Sequence, residues 1–354
     1  MSEVVIIGAG LGGLLCGAYL SRRGFGITVL EQGLQTGGCL QTFVREGERF
    51  DTGFHSVGGL APGEPLYGIF EPLGLMSLPW EKVPDDEGFP FLRLQHPTEG
   101  VSAMEREHIL EPYKGSSWRL RGGGKVLADA LQADILAHGG RVLTRRRVVR
   151  IASGTAYCSD SSSYSGIIIA DIHPLSCMAI CTDHIRPSYL RRLRSYRNGD
   201  GVFSVYIKLA KGIPSDGHGI FADGSLMIHF GDAGADGLSH NLTLLCFAPA
   251  RPFDRNELAI SCIAKARQQL PELEPASWWT STPATWERYT LTPGGSAYGF
   301  IKDYDNPSLS FLPPETPVPG LFLTGQNLGL HGVLGVSKTA LRTCQSVIEY
   351  SKSL

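Results

Sequence analysis

The chain has 354 residues, a formal net charge of −2 and an apolar fraction of 42%. This length predicts two domains, or one large α/β core with an insertion, and the apolar fraction is sufficient to build a buried core. The near-neutral charge gives no indication of a nucleic-acid partner, and the sequence contains no apolar run of about 18 residues that would predict a membrane-spanning helix.

Eight cysteines are scattered along the chain without a CxxC pair. This usage indicates reduced cytosolic thiols rather than a disulfide framework or a zinc centre, and we expect no metal site. A predicted strand starts almost at the first residue, so there is no room for a secretory signal. We therefore expect a cytoplasmic protein, with peripheral contact to a membrane left open.

The first forty residues predict a dinucleotide-binding βαβ unit. A predicted strand at 3–7 leads into a glycine turn and a helix, and a second predicted strand at 27–30 ends at Glu31. The glycine spacing alone is weak evidence, because chance gives roughly 0.7 such triplets in a chain this rich in glycine. The surrounding strand, helix and acidic residue favour the dinucleotide site over an ordinary βα turn.

Each residue of this predicted unit has a physical task. Gly8 permits the tight turn, Gly10 lets a diphosphate approach the backbone, and Gly13 lets the helix lie close to the strand. The helix start offers free N–H groups and a partial positive charge to the phosphates. Glu31 can accept hydrogen bonds from ribose hydroxyls.

The residues after Glu31 favour FAD over a nicotinamide cofactor. Gly37 and Gly38 let the backbone pass the cofactor again, and the chain continues through 49–59 instead of entering another crossover helix. The alternative interpretation of this stretch is a glycine-rich surface loop.

The C-terminus predicts a second strand, glycine turn and helix. A short apolar strand over 320–324 leads into Gly325 and Gln326, and a helix starts near Gly332 and runs to about Tyr350. In flavoproteins of this plan the last helix directs its dipole at the flavin ring. A plain βα unit with a glycine-rich N-cap remains an equal alternative.

The motifs together resemble the family of phytoene desaturases, carotenoid cis–trans isomerases and retinol saturases. The resemblance is carried by residues 8–31, 37–39, 50–55, 118–124, 282–285, 294–299, 324–327 and 330–332. It implies FAD, a hydrophobic substrate and electron transfer at the flavin. The region between Gly59 and Trp118 is short where the family carries a long helical segment over its substrate tunnel, so substrate size and activity stay open.

In the middle of the chain, glycines at 122–124 open a predicted helix, and a strand over 141–144 precedes a basic stretch over 145–151. In flavoproteins of this plan such a strand contacts the adenine side, and Val148 is our candidate; a basic edge strand is the alternative. Residues 153–165 predict a turn. The arginine-rich stretch over 185–197 predicts an amphipathic helix; we favour an ordinary surface helix with its arginines in solvent, and a basic helix on an anionic membrane surface is the alternative.

The alternation over 202–209 predicts a half-buried antiparallel strand of a second sheet, with partners at 226–230 and 242–247. The predicted fold is therefore α/β, a discontinuous Rossmann-like FAD-binding domain of the glutathione-reductase type with a smaller α+β substrate domain. The predicted segments are 1–60, 118–185 and 286–354 for the FAD domain, and 61–117 and 186–285 for the substrate domain.

The predicted site residues form two groups. The candidates for orienting the flavin or relaying a proton are His55, Gln326 and His331, each of which could equally be structural. The predicted cofactor-binding residues are Gly8, Gly10, Leu11, Gly13, Glu31, Gln32, Gly37, Gly38, Val148, Gly325, Gln326, Gly332 and Val333.

Four functions stay open at this stage. The first is an FAD-dependent desaturase or saturase of a hydrophobic polyene or isoprenoid, and the second is a redox-neutral flavin-dependent isomerase. The third is a shortened, non-catalytic FAD-binding relative, and the fourth is an amine-oxidase-like enzyme that shares the N-terminal plan. The chain contains one dinucleotide fingerprint only, which favours an external electron donor or acceptor over an NADPH domain of its own.

Overall fold

A computed structural model describes residues 2–83, 115–215, 220–222, 226–249, 251–303 and 311–354. The strands in chain order are β1 (Glu3–Ile7), β2 (Gly26–Leu30), β3 (Thr42–Arg45), β4 (Glu48–Asp51), β5 (Val57–Gly58), β6 (Trp80–Lys82), β7 (Ser117–Leu120), β8 (Arg141–Leu143), β9 (Val148–Ala152), β10 (Thr155–Cys158), β11 (Ser163–Ser165), β12 (Ile167–Ala170), β13 (Val202–Pro214), β14 (Ile220–Ala222), β15 (Leu226–Phe230), β16 (Leu238–Phe247), β17 (Pro275–Ser281) and β18 (Leu321–Leu323). The helices are α1 (Leu11–Ser21), α2 (Tyr67–Phe70), α3 (Gly124–Ala137), α4 (Pro174–Ile180), α5 (Pro187–Ser195), α6 (Arg255–Gln269), α7 (Pro283–Thr290) and α8 (Gly332–Lys352).

The centre of the molecule is a five-stranded parallel sheet in the order β18-β12-β1-β2-β8. Its middle strands are apolar on both faces, as strands buried between two layers require. Alternate side chains of β1 therefore enter different cores: Val4 and Ile6 pack under α1, α3 and α8, while Val5 and Ile7 pack on the opposite face with residues of β9 and α4. The predicted α/β fold with a parallel central sheet is confirmed.

A three-stranded antiparallel sheet, β11-β10-β9, lies in the connection between β8 and β12. The prediction of a turn over 153–165 is therefore wrong. Serine and glycine are abundant there because β10 and β11 form a short hairpin closed at Ser161, whose φ is +68°. The polar serines of β11 are exposed at one edge of this sheet, so the stretch has no apolar pattern from which to predict strands.

The second large sheet is antiparallel, in the order β14-β15-β16-β13-β17. On one face Phe203, Val205 and Ile207 pack against α6. On the other face Ser204 and Tyr206 are also buried, which differs from the predicted half-buried strand. The reason is the β3–β4 hairpin, which covers this face and sets the Phe43 ring 4.8 Å from that of Tyr206.

The strands of the parallel sheet lie in the segments 1–60, 118–185 and 286–354, and those of the large antiparallel sheet lie within 186–285. A small sheet, β5-β7-β6, joins strands from both sets of segments, and the predicted boundary at 286 falls inside α7. The division into two domains stays a prediction.

The arginine-rich helix α5 lies against the core through its apolar side chains. Leu193 is fully buried, and Tyr189 and Leu190 are packed against the same cluster, whereas Arg191 and Arg194 are exposed. The apolar face of α5 is therefore occupied by protein. Across the described ranges, none of the helices combines the length and the apolar character that crossing a membrane demands.

Helix α6 offers a matched test of the packing under the large sheet. Ile263 is 6% exposed in that core, while Ile260, one turn earlier, is 60% exposed. We expect Ile263→Ala to lower the free energy of unfolding by about 2–5 kcal/mol, because it leaves a cavity, and Ile260→Ala to change it by no more than about 0.5 kcal/mol. Urea denaturation followed by circular dichroism measures both, and equal effects would contradict the packing of α6.

Candidate functional site

The turn between β1 and α1 is built on glycines that no larger residue could replace without movement. Gly8 has a φ of +97°, and a Cβ there would lie 2.5 Å from the carbonyl oxygen of Asp171. A Cβ on Gly13 would overlap the carbonyl oxygen of Gly8. This close packing brings the N-terminus of α1 to the carboxyl end of β1, where open α/β sheets bind ligands.

Three distant parts of the chain converge at this turn. Gly37 donates its N–H to the carbonyl oxygen of Ala9 at 2.7 Å and forms an isolated parallel bridge with Gly10. Gly325 follows β18 and lies against Asp171, since a Cβ on it would be 2.6 Å from Asp171 Oδ1. The structure thus brings the predicted cofactor glycines of the N-terminal, middle and C-terminal motifs to one crevice.

Glu31 lies at the same edge, but its carboxylate is already used. Oε2 accepts the N–H of Ala9 at 2.9 Å, and Oε1 accepts the N–H of Gly33 at 2.7 Å. The two bonds hold the end of β2 to the glycine turn. A carboxylate oxygen has more than one lone pair, so Glu31 keeps acceptor capacity for a ribose hydroxyl.

Backbone bonds from the β8–β9 connection support Glu31 from the other side. Arg146 donates its N–H to the carbonyl oxygen of Glu31 at 2.8 Å, and Arg145 donates to that of Gly33 at 2.9 Å. Sequence analysis singled out Val148 in this stretch instead. Its side chain lies in the core cluster that also contains Leu30.

The other predicted contacts are distributed around the crevice. Leu11 is buried at the start of α1, and Gln32 donates to the carbonyl oxygen of Tyr289 at 3.1 Å near the surface. At the C-terminal motif, Gln326 is half-buried, Gly332 begins α8 and Val333 packs on the core under it. The ring of His331 lies 4.3 Å from that of Tyr298. Whether these residues bind a cofactor stays a prediction.

Asp171 is the functional candidate that sequence reasoning missed. It follows β12, the neighbour of β1, and its Oδ2 accepts the N–H of Gly13 at 2.8 Å. The residue keeps some access to solvent through the crevice. Desolvation by the surrounding protein raises the pKa of its carboxyl to about 7, the Gly13 N–H lowers it, and the charge of Glu31 raises it. An acidic residue directly after an apolar strand was the available signal.

A second feature is a cavity of about 340 Å³ between the small sheet β5-β7-β6 and the large antiparallel sheet. Its lining is largely polar and comprises Gly47, Glu48, Arg49, Asp51, Phe54, His55, Arg119, Leu120, His229, Phe230, Gly231, Asp232, Asn241 and Thr243. Of the three catalytic candidates predicted from the sequence, His55 is in this lining, and Gln326 and His331 are not.

Three titratable groups of the polar cavity, Asp51, His55 and His229, have shifted pKa values. Desolvation raises the pKa of Asp51 to about 7, although the Gly124 N–H, 3.0 Å away, opposes this. The rings of His55 and His229 lie 4.6 Å apart. Desolvation lowers the pKa of His229 to about 4, and the positive charge of Arg119 lowers it further. The pKa of His55 lies well below its usual range, mainly because of desolvation and to a smaller extent because of the neighbouring His229.

Arg49, Arg119 and Asp232 of the cavity lining form ion pairs. Asp232 binds the Arg49 guanidinium at 3.0 Å and accepts the N–H of Gly122 at 2.8 Å. Arg119 binds Glu81 at 2.7 Å. In the described part of the chain, no group of three or more His, Cys, Asp or Glu residues is arranged to hold a metal ion.

A buried lysine lies next to the C-terminal motif. Lys302 donates from Nζ to the carbonyl oxygen of Asn327 at 2.5 Å, and desolvation lowers the pKa of its amine to about 7. Asn327 in turn accepts the N–H of Phe300 through Oδ1 at 3.0 Å. These bonds hold the turn that follows Gly325.

Comparison with known families agrees with this site. The family described as "NAD(P)-binding Rossmann-like domain" matches residues 6–73, which contain the end of β1, all of α1 and β2, and the Gly37–Gly38 turn. The predicted Rossmann-like dinucleotide-binding domain is therefore confirmed.

Three relatives support the predicted resemblance. Human (Homo sapiens) all-trans-retinol 13,14-reductase is 37% identical over 95 residues, which cover 27% of this chain and 15% of that protein. Zebrafish (Danio rerio) "inactive all-trans-retinol 13,14-reductase" is 48% identical over 58 residues, 16% of this chain and 10% of that protein. Phytoene desaturase from Fusarium fujikuroi is 44% identical over 51 residues, 14% of this chain and 9% of that protein. The match thus spans a small part of each relative.

Solved structures agree over the whole fold. A crystal structure of an oxidoreductase from Methanosarcina mazei superposes with a TM-score of 0.70 at 18% identity, covering 98% of this chain and 100% of that chain. Putrescine oxidase with bound putrescine gives a TM-score of 0.69 at 15% identity, covering 98% and 99%. At this identity the likeness shows the fold alone.

The buried lysine generates a prediction about stability and pH. Since the pKa of Lys302 is about 7 in the folded chain and near 10.5 when exposed, the unfolded chain binds more protons between these values. The free energy of unfolding of the wild type, relative to Lys302→Met, should therefore rise with pH from about 7 to about 10.5, by up to about 1.4 kcal/mol per pH unit.

Urea denaturation at several pH values measures this difference. The exposed Lys338 is the matched control, and Lys338→Met should run parallel to the wild type across the range. If the free energy of unfolding of Lys302→Met also follows that of the wild type at every pH, the Lys302 amine is not desolvated in the folded chain.

Proposed function

We propose that the protein is an FAD-dependent oxidoreductase that acts on carbon–carbon double bonds of a hydrophobic polyene or isoprenoid substrate. The observation that carries the proposal is the convergence of Gly10, Gly37 and Gly325 at one crevice beside the start of α1. Rossmann-like folds bind a dinucleotide at this place. The retinol reductase and phytoene desaturase relatives supply the substrate class.

The residues of the crevice fit a dinucleotide. The bare Cα atoms of Gly10 and Gly12 face the place where a diphosphate would approach the start of α1, and the Asp171 carboxylate lies at this place in the structure. The N–H groups at the start of α1 would hold the diphosphate, and Glu31 would accept from the ribose. Gly37, Gly38 and Gly325 would allow close approach of the backbone. The bound flavin would supply the two-electron chemistry that the side chains lack.

The choice of FAD over a nicotinamide cofactor rests on the second and third motifs. Gly37 bridges to Gly10, so the chain after the ribose acid returns to the cofactor crevice. The residues after β18 also enter it from the C-terminal end of the chain. A crevice built from both ends of the chain suits a cofactor that stays bound. Because the sequence has one dinucleotide fingerprint, we expect an external electron partner to reduce or reoxidise this cofactor.

The polar cavity favours a second candidate, an amine-oxidase-like enzyme. Glu48, Asp51 and Asp232 in its lining would suit a substrate more polar than a hydrocarbon polyene. The region where the predicted resemblance expects a cover over an apolar tunnel falls largely on 84–114, outside the described residues. A redox-neutral isomerase and a non-catalytic FAD-binding relative remain further alternatives, the last favoured by the similarity to the zebrafish protein named as inactive.

Cofactor binding can be tested with one glycine. Gly10 has extended φ and ψ of −72° and −179°, which valine can adopt, and the valine side chain would enter the crevice once the Asp171 carboxylate, 2.6 Å from its Cβ, moves aside. The wild type should purify yellow with bound FAD. Gly10→Val should lose at least about tenfold in FAD affinity while the chain stays folded, because the side chain occupies the diphosphate space.

Flavin absorbance per protein chain and thermal unfolding measure these two properties. Gly68→Val is the control, because a Cβ at Gly68 meets nothing within 4 Å. A wild type that is folded and shows no affinity for FAD would end the proposal.

The reaction can be tested by product mass. We expect anaerobic incubation of the FAD-loaded protein with carotenoid and retinoid candidates, with a chemical electron donor or acceptor, to change substrate mass by two hydrogens. Mass spectrometry after chromatographic separation detects this change. An unchanged mass with a new retention time would instead indicate isomerisation, and bleaching of the flavin by amines alone would favour the amine-oxidase-like alternative.

A further inference from the structure

The carboxylate of Asp171 lies in the space that the glycine motifs keep open. Its Oδ2 accepts the Gly13 N–H at 2.8 Å. Cβ atoms built on Gly10 and Gly12 would lie 2.6 Å from Oδ2 and 2.7 Å from Oδ1, and one on Gly325 would lie 2.6 Å from Oδ1. A negative side chain thus takes the helix-terminus position that a cofactor phosphate would use.

The chain gives this carboxylate no cationic neighbour at close range among the described contacts. From α1 and from Gly325, two residues after β18, it faces glycines and backbone N–H groups, and its backbone carbonyl packs on Gly8. Two titratable groups face the Asp171 carboxylate. The charge of Glu31, just after β2, raises the pKa of Asp171. The pKa of the Cys39 thiol is raised mainly by desolvation and further by the charge of Asp171. Of the two, Glu31 disfavours a second negative charge, while the Cys39 thiol is neutral at physiological pH because its own pKa is raised to about 11.

A dinucleotide diphosphate carries negative charge throughout the physiological pH range, and it needs the same N–H groups. An ionised Asp171 would repel it and compete with it for the Gly13 N–H. A protonated Asp171 carries no charge and gains an O–H that can donate to a phosphate oxygen.

We propose, on the basis of the proposed function, that Asp171 is a positioning residue that couples cofactor binding to the uptake of one proton at the diphosphate. The crevice binds the dinucleotide when the Asp171 carboxyl is neutral. The Asp171 side chain then releases the Gly13 N–H, which donates to the phosphate instead. Cofactor affinity is therefore highest at low pH and declines as the carboxyl ionises.

Desolvation by the crevice places this transition in a measurable range, because it raises the pKa of the Asp171 carboxyl to about 7. Bound phosphate raises the pKa further. Below about 7 the carboxyl is mostly neutral and the Kd for FAD should be nearly constant; above about 7 the Kd should rise by up to about tenfold per pH unit.

The experiment is a titration of flavin-free protein with FAD from pH 6 to pH 9, followed by flavin fluorescence and by calorimetry in two buffers of different ionisation enthalpy. The wild type should take up close to one proton per FAD bound at the alkaline end. Asp171→Asn keeps an oxygen that can accept the Gly13 N–H, and it should bind FAD with a pH-independent Kd and without proton uptake. Asp183→Asn, which also removes a carboxylate that accepts a backbone N–H, at Ser153, should behave as the wild type.

Two results would overturn the inference. The first is a wild type that binds FAD without proton uptake at any pH, a measurement that needs no variant. The second is an Asp171→Asn protein whose Kd follows pH as the wild type does. In either case FAD still binds, so the proposed function stands; failure of every protein to bind FAD at any pH would overturn both.

Discussion

The architecture depends on the close approach of α1 to β1 at Gly13. A side chain at this position would overlap the Gly8 carbonyl, and α1 would have to move away from the sheet. Because α1 packs against both α3 and α8, such a movement would open the core on that face, where Ile6, Leu14 and Leu131 are fully buried. One missing Cβ therefore fixes the crevice geometry and the main helical layer together.

The same contact explains how the two ends of the chain meet. β18 pairs with β12, and β12 pairs with β1, so the residues after Leu323 arrive beside the residues after Ile7. Thr324 donates its N–H to the carbonyl oxygen of Ala170, which fixes this alignment. The parallel register, rather than any side-chain contact, places the C-terminal glycine at the crevice.

Much of this arrangement can be predicted from the sequence, because the relevant signals are local. The apolar run at 3–7 predicts a strand, and glycines directly after a strand predict a turn that a larger residue would block. Asp171 could not be predicted in the same way. Its meaning depends on β12 being the neighbour of β1, which is a property of strand order and not of the residues near position 171.

The polar cavity was beyond prediction for a related reason. It is assembled from β4, β7, β15 and β16, four strands of three different sheets, so no stretch of sequence contains its pattern. The sequence identifies His55 as a candidate because it lies in a predicted motif. Nothing in the predicted strand at 226–230 distinguishes its neighbour His229 from the other residues of that strand. The pairing of their rings follows only from the packing of the small sheet on the large one.

A polar cavity is compatible with a largely hydrophobic substrate when most of the polar side chains that line it carry no net charge. His55 and His229 are neutral at pH 7 because their pKa values are lowered, and Asp51 is largely neutral below its raised pKa of about 7. Glu48 accepts a hydrogen bond from Asn241, and Asp232 is paired with Arg49. A lining that is polar but mostly uncharged or internally paired can contact neutral polar groups, and its carboxylates leave the amine-oxidase-like alternative open. On the proposed function, this lining would contact a hydroxyl or carbonyl end of the polyene substrate rather than its hydrocarbon chain.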